Sequence, residues 1–196
     1  MSRDSLSCLD MAAQPLERPT RRHDSNETNA DVRLQEPSLA DGPELWRLAR
    51  DSSVLDVNSP YSYALWCRDF ADTSVVARDG GVPCGFITGY VRPGRPDTFF
   101  VWQVAVDRDH RGRGLARRML DRLADRLVPR GHRFMEATVT PDNTASTAMF
   151  ESFARDRGCE VVRAPLFGAE HFPDGGHEPE VLFRIGPIAT RTDGAN

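Results

Sequence analysis

The run VWQVAVDRDHRGRGLARRML, Val101 to Leu120, changes its hydrophobic period halfway. Up to Val106 the apolar residues are dense, as in a strand. After Gly114, Leu115, Met119, Leu120, Leu123 and Leu127 fall on one helical stripe, which Pro129 and Gly131 end. Between the two lies Arg111-Gly112-Arg113-Gly114. A strand that feeds through glycines into a helix presents free backbone N–H groups and the positive end of the helix dipole to an anion. Glycines at 112 and 114 let the backbone approach a ligand closely, and Arg111 and Arg113 can add charge-assisted contacts. An ordinary turn between strand and helix fits the same spacing. A dinucleotide fingerprint does not, because the third glycine is absent, and the chain has no lysine for a P-loop.

The rest of the chain supplies the setting. Residues 1–30 are polar and patternless and read as a disordered tail; residues 189–196 read as a second tail. Residues 31–188 form one domain in this reading. Val32 and Leu34 alternate with polar neighbours, as in a short strand. Leu39, Leu45, Trp46, Leu48 and Ala49 fall at helical spacing, and a second helix starts with Ser59 as cap and Pro60 in its first turn. Two β-rich runs around Asp79-Gly80-Gly81 predict a hairpin. RPGRPDT reads as a turn-rich break before the strand FFVWQVAV, and RFMEATVT as another strand. Pro141 and Asp142 open a helix carrying Ala145, Met149, Phe150 and Phe153, and EVLFRIGP gives a last strand. The predicted order is β-α-α-β-β-β-α-β-α-β: an α/β (α+β) mixed sheet, mostly antiparallel, flanked by helices.

Composition excludes several chemistries. All 25 basic residues are arginine, which removes lysine Schiff bases and lysine-linked pyridoxal phosphate. Cys8, Cys67, Cys84 and Cys159 are widely spaced, with no Cys-x-x-Cys pair, so reduced, partly buried thiols are expected and no metal site. A net charge of −4 disfavours a nucleic-acid footprint spread over the domain. No apolar run approaches the roughly 20 residues of a membrane span, and no signal-like apolar region is present, so the expected setting is the cytoplasm.

RGRGLA after VAVDRDH resembles the pyrophosphate-binding motif Arg/Gln-x-x-Gly-x-Gly/Ala of the GNAT N-acetyltransferase superfamily, with Arg111, Gly114 and Ala116 on its fixed positions. The resemblance implies acetyl-CoA as co-substrate, its pyrophosphate cradled by Arg111, Gly112, Arg113, Gly114, Leu115 and Ala116. It further implies that the strand around Val104 to Val106 pairs with the pantetheine arm, and that Asn143 meets the pantetheine or sulfur region. LDVNSPYSY, RPGRPDTFFVWQVAV, EATVTPDNTAS, FESFAR, PLFG and HEPEVLFRIGP together resemble the diaminobutyrate acetyltransferases, a family of ectoine synthesis. That resemblance spans about residues 32–188 and implies a small diamine substrate and a homodimer.

Acetyl transfer needs a neutral amine, a polarised thioester and a proton for the departing thiolate. An alkylammonium with a pKa near 10.4, the lysine value, needs a carboxylate or a water chain to deprotonate it. The resemblance assigns Asp56, Tyr61, Trp102, Glu136 and His177 to the substrate pocket. Taken alone, Asp56 reads equally as a turn former, Tyr61 and Trp102 as core aromatics, and His177 as a solvated loop residue. Glu136 lies between Met135 and Ala137 in a strand, where an inward carboxylate demands a partner. It is the expected base or ammonium anchor. Arg92, Arg95 and Arg184 are candidates for the substrate carboxylate. Many superfamily members carry a tyrosine seven residues after the asparagine as acid for the thiolate; this chain has Phe150 there. Acetylation of another small amine such as ornithine or a polyamine, or a catalytically silent acetyl-CoA-binding module, are the competing readings.

Overall fold

The computed structural model describes residues 32–52, 55–172 and 178–191. Eleven elements follow in order: β1 Arg33–Gln35, α1 Gly42–Ser52, α2 Pro60–Asp69, β2 Val75–Asp79, β3 Val82–Arg92, β4 Arg95–Val106, α3 Leu115–Leu127, β5 Phe134–Val139, α4 Thr144–Asp156, β6 Val161–Phe167 and β7 Glu180–Ile185. The seven strands form one sheet in the order β1-β2-β3-β4-β5-β7-β6. All neighbours run antiparallel except β4 and β5, whose α3 crossover makes them parallel.

Both faces of the sheet are covered, and the strand pattern shows why. Phe99 and Val101 of β4, Met135 and Ala137 of β5 and Ile87 of β3 join the stripe of α3 and Phe150, Phe153 and Ala154 of α4 in the larger apolar cluster. On the other face Val76, Phe86 and Ala105 meet Leu45, Leu48 and Ala49 of α1 and Tyr63 and Cys67 of α2. Burying one Leu or Phe side chain contributes about 1.5–3 kcal/mol, so these two layers supply the main driving force for this arrangement. The α3 and α4 surfaces are then laced by arginine: Arg117 reaches Asp121 and Asp156, and Arg157 reaches Asp121 and Asp125.

The expected elements are present, with three differences. The helix predicted from Leu39 begins at Gly42; Leu39 sits in a short 3-10 turn and is exposed, so it never joins the apolar stripe. The break RPGRPDT shrinks to a tight turn, and β4 already starts at Arg95. β6, Val161–Phe167, has no counterpart in the predicted order. It lies at the sheet edge, pairs only with β7, and is exposed along nearly its whole length, so no inward-outward alternation marks it.

The β3–β4 pairing carries one irregularity that matters below. Thr88 faces Gln103 but Gly89 faces Val101, which leaves Trp102 as an extra residue on β4, a β-bulge. The bulge reverses the alternation: Phe99 and Val101 point to the α3–α4 side, while Ala105 packs with α1 and α2. Gly89 opposite the bulge is tightly held, its carbonyl accepting from Thr73 Oγ1 at 2.6 Å. A Cβ there would lie 2.6 Å from the Phe100 carbonyl oxygen and 3.1 Å from that of Thr73. Gly89→Ala is therefore expected to cost about 2–3 kcal/mol in urea unfolding, whereas Gly94→Ala, whose Cβ meets nothing within 4 Å, leaves the midpoint unchanged.

Candidate active site

The site begins where two strands part. β4 pairs with β5 only across Thr98–Val101 and Phe134–Ala137. Beyond that, β4 continues to Val106 against β3, and β5 continues to Val139 against β7. The backbone groups of Trp102 to Val106 on the β5 side thus leave the ladder, giving an open strand edge that an extended ligand chain can pair with. Val104 and Val106, both partly buried, lie along it.

At its end β4 delivers the chain to the glycine turn. Gly112 and Gly114 have φ of 74° and 70°, the left-handed region that favours glycine, and a Cβ at either would meet nothing within 4 Å. Gly114 caps α3 without a side chain to bond the first-turn N–H groups, and no acidic residue lies in that turn. The amides that follow, at Leu115 and Ala116, therefore face outward as anion donors at the positive end of a thirteen-residue helix. The cradle is braced rather than loose. His110 Nε2 lies 3.1 Å from Asp79 Oδ2 of the β2–β3 hairpin, and Arg111 donates from Nε to the Val106 carbonyl at 3.0 Å and from Nη2 to that of Ser52 at 3.4 Å. The Arg111 guanidinium thereby clasps β4 to the end of α1, while Arg113 is exposed on the turn. A cleft of about 560 Å3 adjoins, with Arg47, Arg50, Asp107 and Arg111 among its lining. An open, glycine-built, acid-free helix start beside an unpaired strand edge fits a pyrophosphate followed by an extended amide arm.

Asn143, expected at the sulfur end, is the N-cap of α4: its Oδ1 accepts from the Ser146 N–H at 3.0 Å. Phe150, seven residues further, is 2% exposed and packs on Phe183 with 6.2 Å between ring centroids. It is core, with no polar group for proton transfer.

On the α1–α2 face the sheet carries a row set by register, Tyr90, Phe100, Glu136 and Arg184, on neighbouring strands. Trp66 of α2 lies against Trp102 at 6.1 Å in a stacked arrangement and against Tyr90 at 6.3 Å; Phe100 contacts Tyr90 and Trp102. Trp102 is thus no core aromatic: it is 49% exposed, with one side on the cluster and the other open. Tyr61, in the first turn of α2, is 70% exposed. Asp56 is exposed in the segment before α2, its carbonyl accepting from Gln103 Nε2 at 2.8 Å. His177 lies outside the described residues.

Glu136 points inward and is 2% exposed. Its partners are two of the arginines singled out as carboxylate anchors: Arg92 Nη1 at 2.6 Å on Oε2 and Arg184 Nη1 at 2.5 Å on Oε1. Arg184 also reaches Thr98 Oγ1 at 3.3 Å and stacks on the Phe134 ring at 4.1 Å. Arg95 is exposed at the start of β4. Two guanidiniums, both partly exposed, meet this one buried carboxylate, so the cluster is positive overall.

Other reactive side chains are quiet. Burial pushes the Cys67 and Cys84 thiols up to about 11 and raises Cys159 as well, so these cysteines stay protonated near neutrality and offer no thiolate nucleophile. Among the described residues no three His, Cys, Asp or Glu side chains converge as a metal site, and no helix is long and apolar enough to cross a membrane. Sequence reasoning did not find Trp66, Tyr63 or Gln103. Gln103 carried a readable signal, as a lone polar side chain inside the apolar run FFVWQVAV.

Comparison with known proteins agrees with this geometry. The family model "Acetyltransferase (GNAT) family" matches residues 42–163. An L-2,4-diaminobutyric acid acetyltransferase of Streptomyces coelicolor is 62% identical over 162 residues, 82% of this chain and 95% of that protein. One from Marinococcus halophilus is 42% identical over 169 residues, 86% of this chain and 98% of that protein. The diaminobutyrate acetyltransferase EctA of Paenibacillus lautus, solved with its substrate L-2,4-diaminobutyric acid and coenzyme A, superposes with a TM-score of 0.77 at 42% identity, covering 84% of this chain and 98% of that one. With the model spanning more than half of the chain and relatives this similar over nearly their whole length, the chain belongs to the GNAT acetyltransferases and, within them, to the L-2,4-diaminobutyric acid acetyltransferase family.

Proposed function

We propose that this protein transfers the acetyl group of acetyl-CoA to the γ-amino group of L-2,4-diaminobutyrate, within a single domain of about residues 31–188. The observation that carries this reading is the open edge of β4, which joins an anion cradle at one end to an aromatic and charged pocket at the other. Acetyl-CoA supplies a thioester carbonyl as the activated acyl group. The chain supplies the rest. Gly112 to Ala116 hold the pyrophosphate on backbone N–H groups, and the edge around Val104 aligns the arm and aims an N–H at the carbonyl oxygen. Asn143 keeps the start of α4 in shape beside the sulfur end.

Substrate charge is matched on the α1–α2 face. Diaminobutyrate has one carboxylate and two amines. The Arg92–Glu136–Arg184 group, positive overall, suits the carboxylate; Asp56 and the open faces of Trp102 and Tyr61 suit the ammonium groups. Both carboxylate oxygens of Glu136 are already engaged by arginine N–H groups. In this reading Glu136 holds the arginines in place, and Asp56 or a water chain takes the proton. With no thiolate cysteine described, transfer is direct from thioester to amine. Phe150 leaves protonation of the departing thiolate to water.

A second copy of the chain is the proposed partner, and the cytoplasm the proposed setting. The exposed apolar residues Val162, Leu166 and Phe167 on the β6 edge support pairing of subunits.

Thiol release from acetyl-CoA, measured with diaminobutyrate, ornithine, lysine and spermidine separately, tests the function. Diaminobutyrate is expected to exceed ornithine by at least about tenfold in kcat/KM, since one methylene is worth that much in a fitted pocket. Acetyl-CoA binding without turnover of any amine would identify a silent binding module. Gly114→Val forces a branched side chain into positive φ, and its KM for acetyl-CoA is expected to rise more than tenfold while amine KM holds. Glu136→Gln leaves two facing guanidiniums short of a counter-charge, so it should cost about 2–3 kcal/mol of stability and raise the amine KM. Its pH–rate profile keeps the parent shape; loss of a limb of that profile would make Glu136 the base.

A further inference from the structure

We propose that Gln103 and Tyr63 form a positioning clamp that fixes the Asp56–Asn58 segment over the active face and thereby sets affinity for the amine substrate. The inference rests on the proposed acetyltransferase reading of the same site.

Gln103 is 6% exposed and Tyr63 fully buried, so each polar atom needs a partner within the protein. They supply one another. The Tyr63 hydroxyl donates to Gln103 Oε1 at 3.1 Å, and Gln103 Nε2 donates to the Asp56 carbonyl at 2.8 Å. Burial raises the pKa of this phenol, and Asn58, close to its oxygen, opposes that shift. A strand residue and a helix residue 40 positions apart thus meet a three-residue stretch that has no regular structure of its own, by a hydrogen bond at Asp56 and by proximity at Asn58.

The bulge explains why this grip bears on the substrate. Because Trp102 is the extra residue on β4, Gln103 turns to the α2 side directly next to it. The carbonyl of Asp56 is therefore tied to the residue that follows Trp102. Two side chains proposed to meet the diamine, on elements far apart in sequence, are separated by one side-chain hydrogen bond and one peptide unit. Tyr61 lies two residues before Tyr63 on the same first turns of α2, so the phenol that anchors the segment also sets the base from which Tyr61 projects. Ordering of the segment before substrate arrives removes an entropy cost from binding.

The experiment compares Tyr63→Phe, Gln103→Met and Gln103→Glu by hydrogen exchange and steady-state kinetics. Tyr63→Phe removes only the hydroxyl. Gln103→Met keeps the volume and loses both bonds. Gln103→Glu keeps the oxygen facing Tyr63 and replaces the donor to Asp56 with an acceptor, a change that a role in packing alone would not register. All three are expected to speed exchange of the amides at 55–58 while those of α3 keep their protection. The KM for diaminobutyrate rises about tenfold, in line with one lost hydrogen bond, and the KM for acetyl-CoA stays within twofold. Unchanged exchange at 55–58 in all three variants overturns the clamp. So does faster exchange with an unaltered amine KM, or a loss shared equally by both substrates. Absence of turnover in the parent protein would instead sink the acetyltransferase reading, and the exchange data would still decide whether the clamp exists.

Discussion

Backbone hydrogen bonding between β4 and β5 stops after four residue pairs, and a sheet tolerates such a gap only when something else takes up the freed groups. Water can do so in the free protein. A ligand with alternating amide donors and acceptors does so with better geometry. The gap is held open from both sides: β4 stays tied to β3 and β5 to β7, each in turn anchored by an apolar layer. Neither strand can swing across without unzipping its other edge. The cradle at Gly112–Gly114 and the bulge at Trp102 are both consequences of where β4 goes once it leaves β5.

Arginine carries the polar framework around that gap. Arg111 ties the cradle to α1, Arg117 and Arg157 tie α3 to α4, and Arg92 and Arg184 meet on Glu136. A planar guanidinium can serve two acceptors at once and stack on a ring, as Arg184 does on Phe134. The cluster at Glu136 also shows how an inward carboxylate on a strand finds its partners, each of its oxygens accepting from one arginine.

Much of this was legible in the residues because the signals are local. The change of period at Gly114, the glycines of the β2–β3 turn, and Ser59-Pro60 at the start of α2 each act within a few positions. Glu136 between Met135 and Ala137 announced an inward carboxylate, but not that its partners lie 44 and 48 residues away. The bulge is a property of two strands in register and leaves no mark in either one. β6 escaped because an edge strand facing solvent has no buried side to pattern, and Pro165 within it reads as a break. Resemblance supplied the proposed substrate residues, and only the folded arrangement revealed Gln103 and Tyr63 beside Asp56.

The same arginine framework bears on what the protein does to itself. A thioester held beside a route for deprotonating amines is a hazard to any lysine within reach, since a neutral ε-amine is as good a nucleophile as the intended one. Here the chain has no lysine, and Arg111 at the cradle, Arg117 and Arg157 between the helices, and Arg92 and Arg184 at Glu136 carry guanidiniums, which do not present the neutral amine that a thioester acylates. The cationic scaffold of this acetyltransferase is chemically deaf to its own reaction.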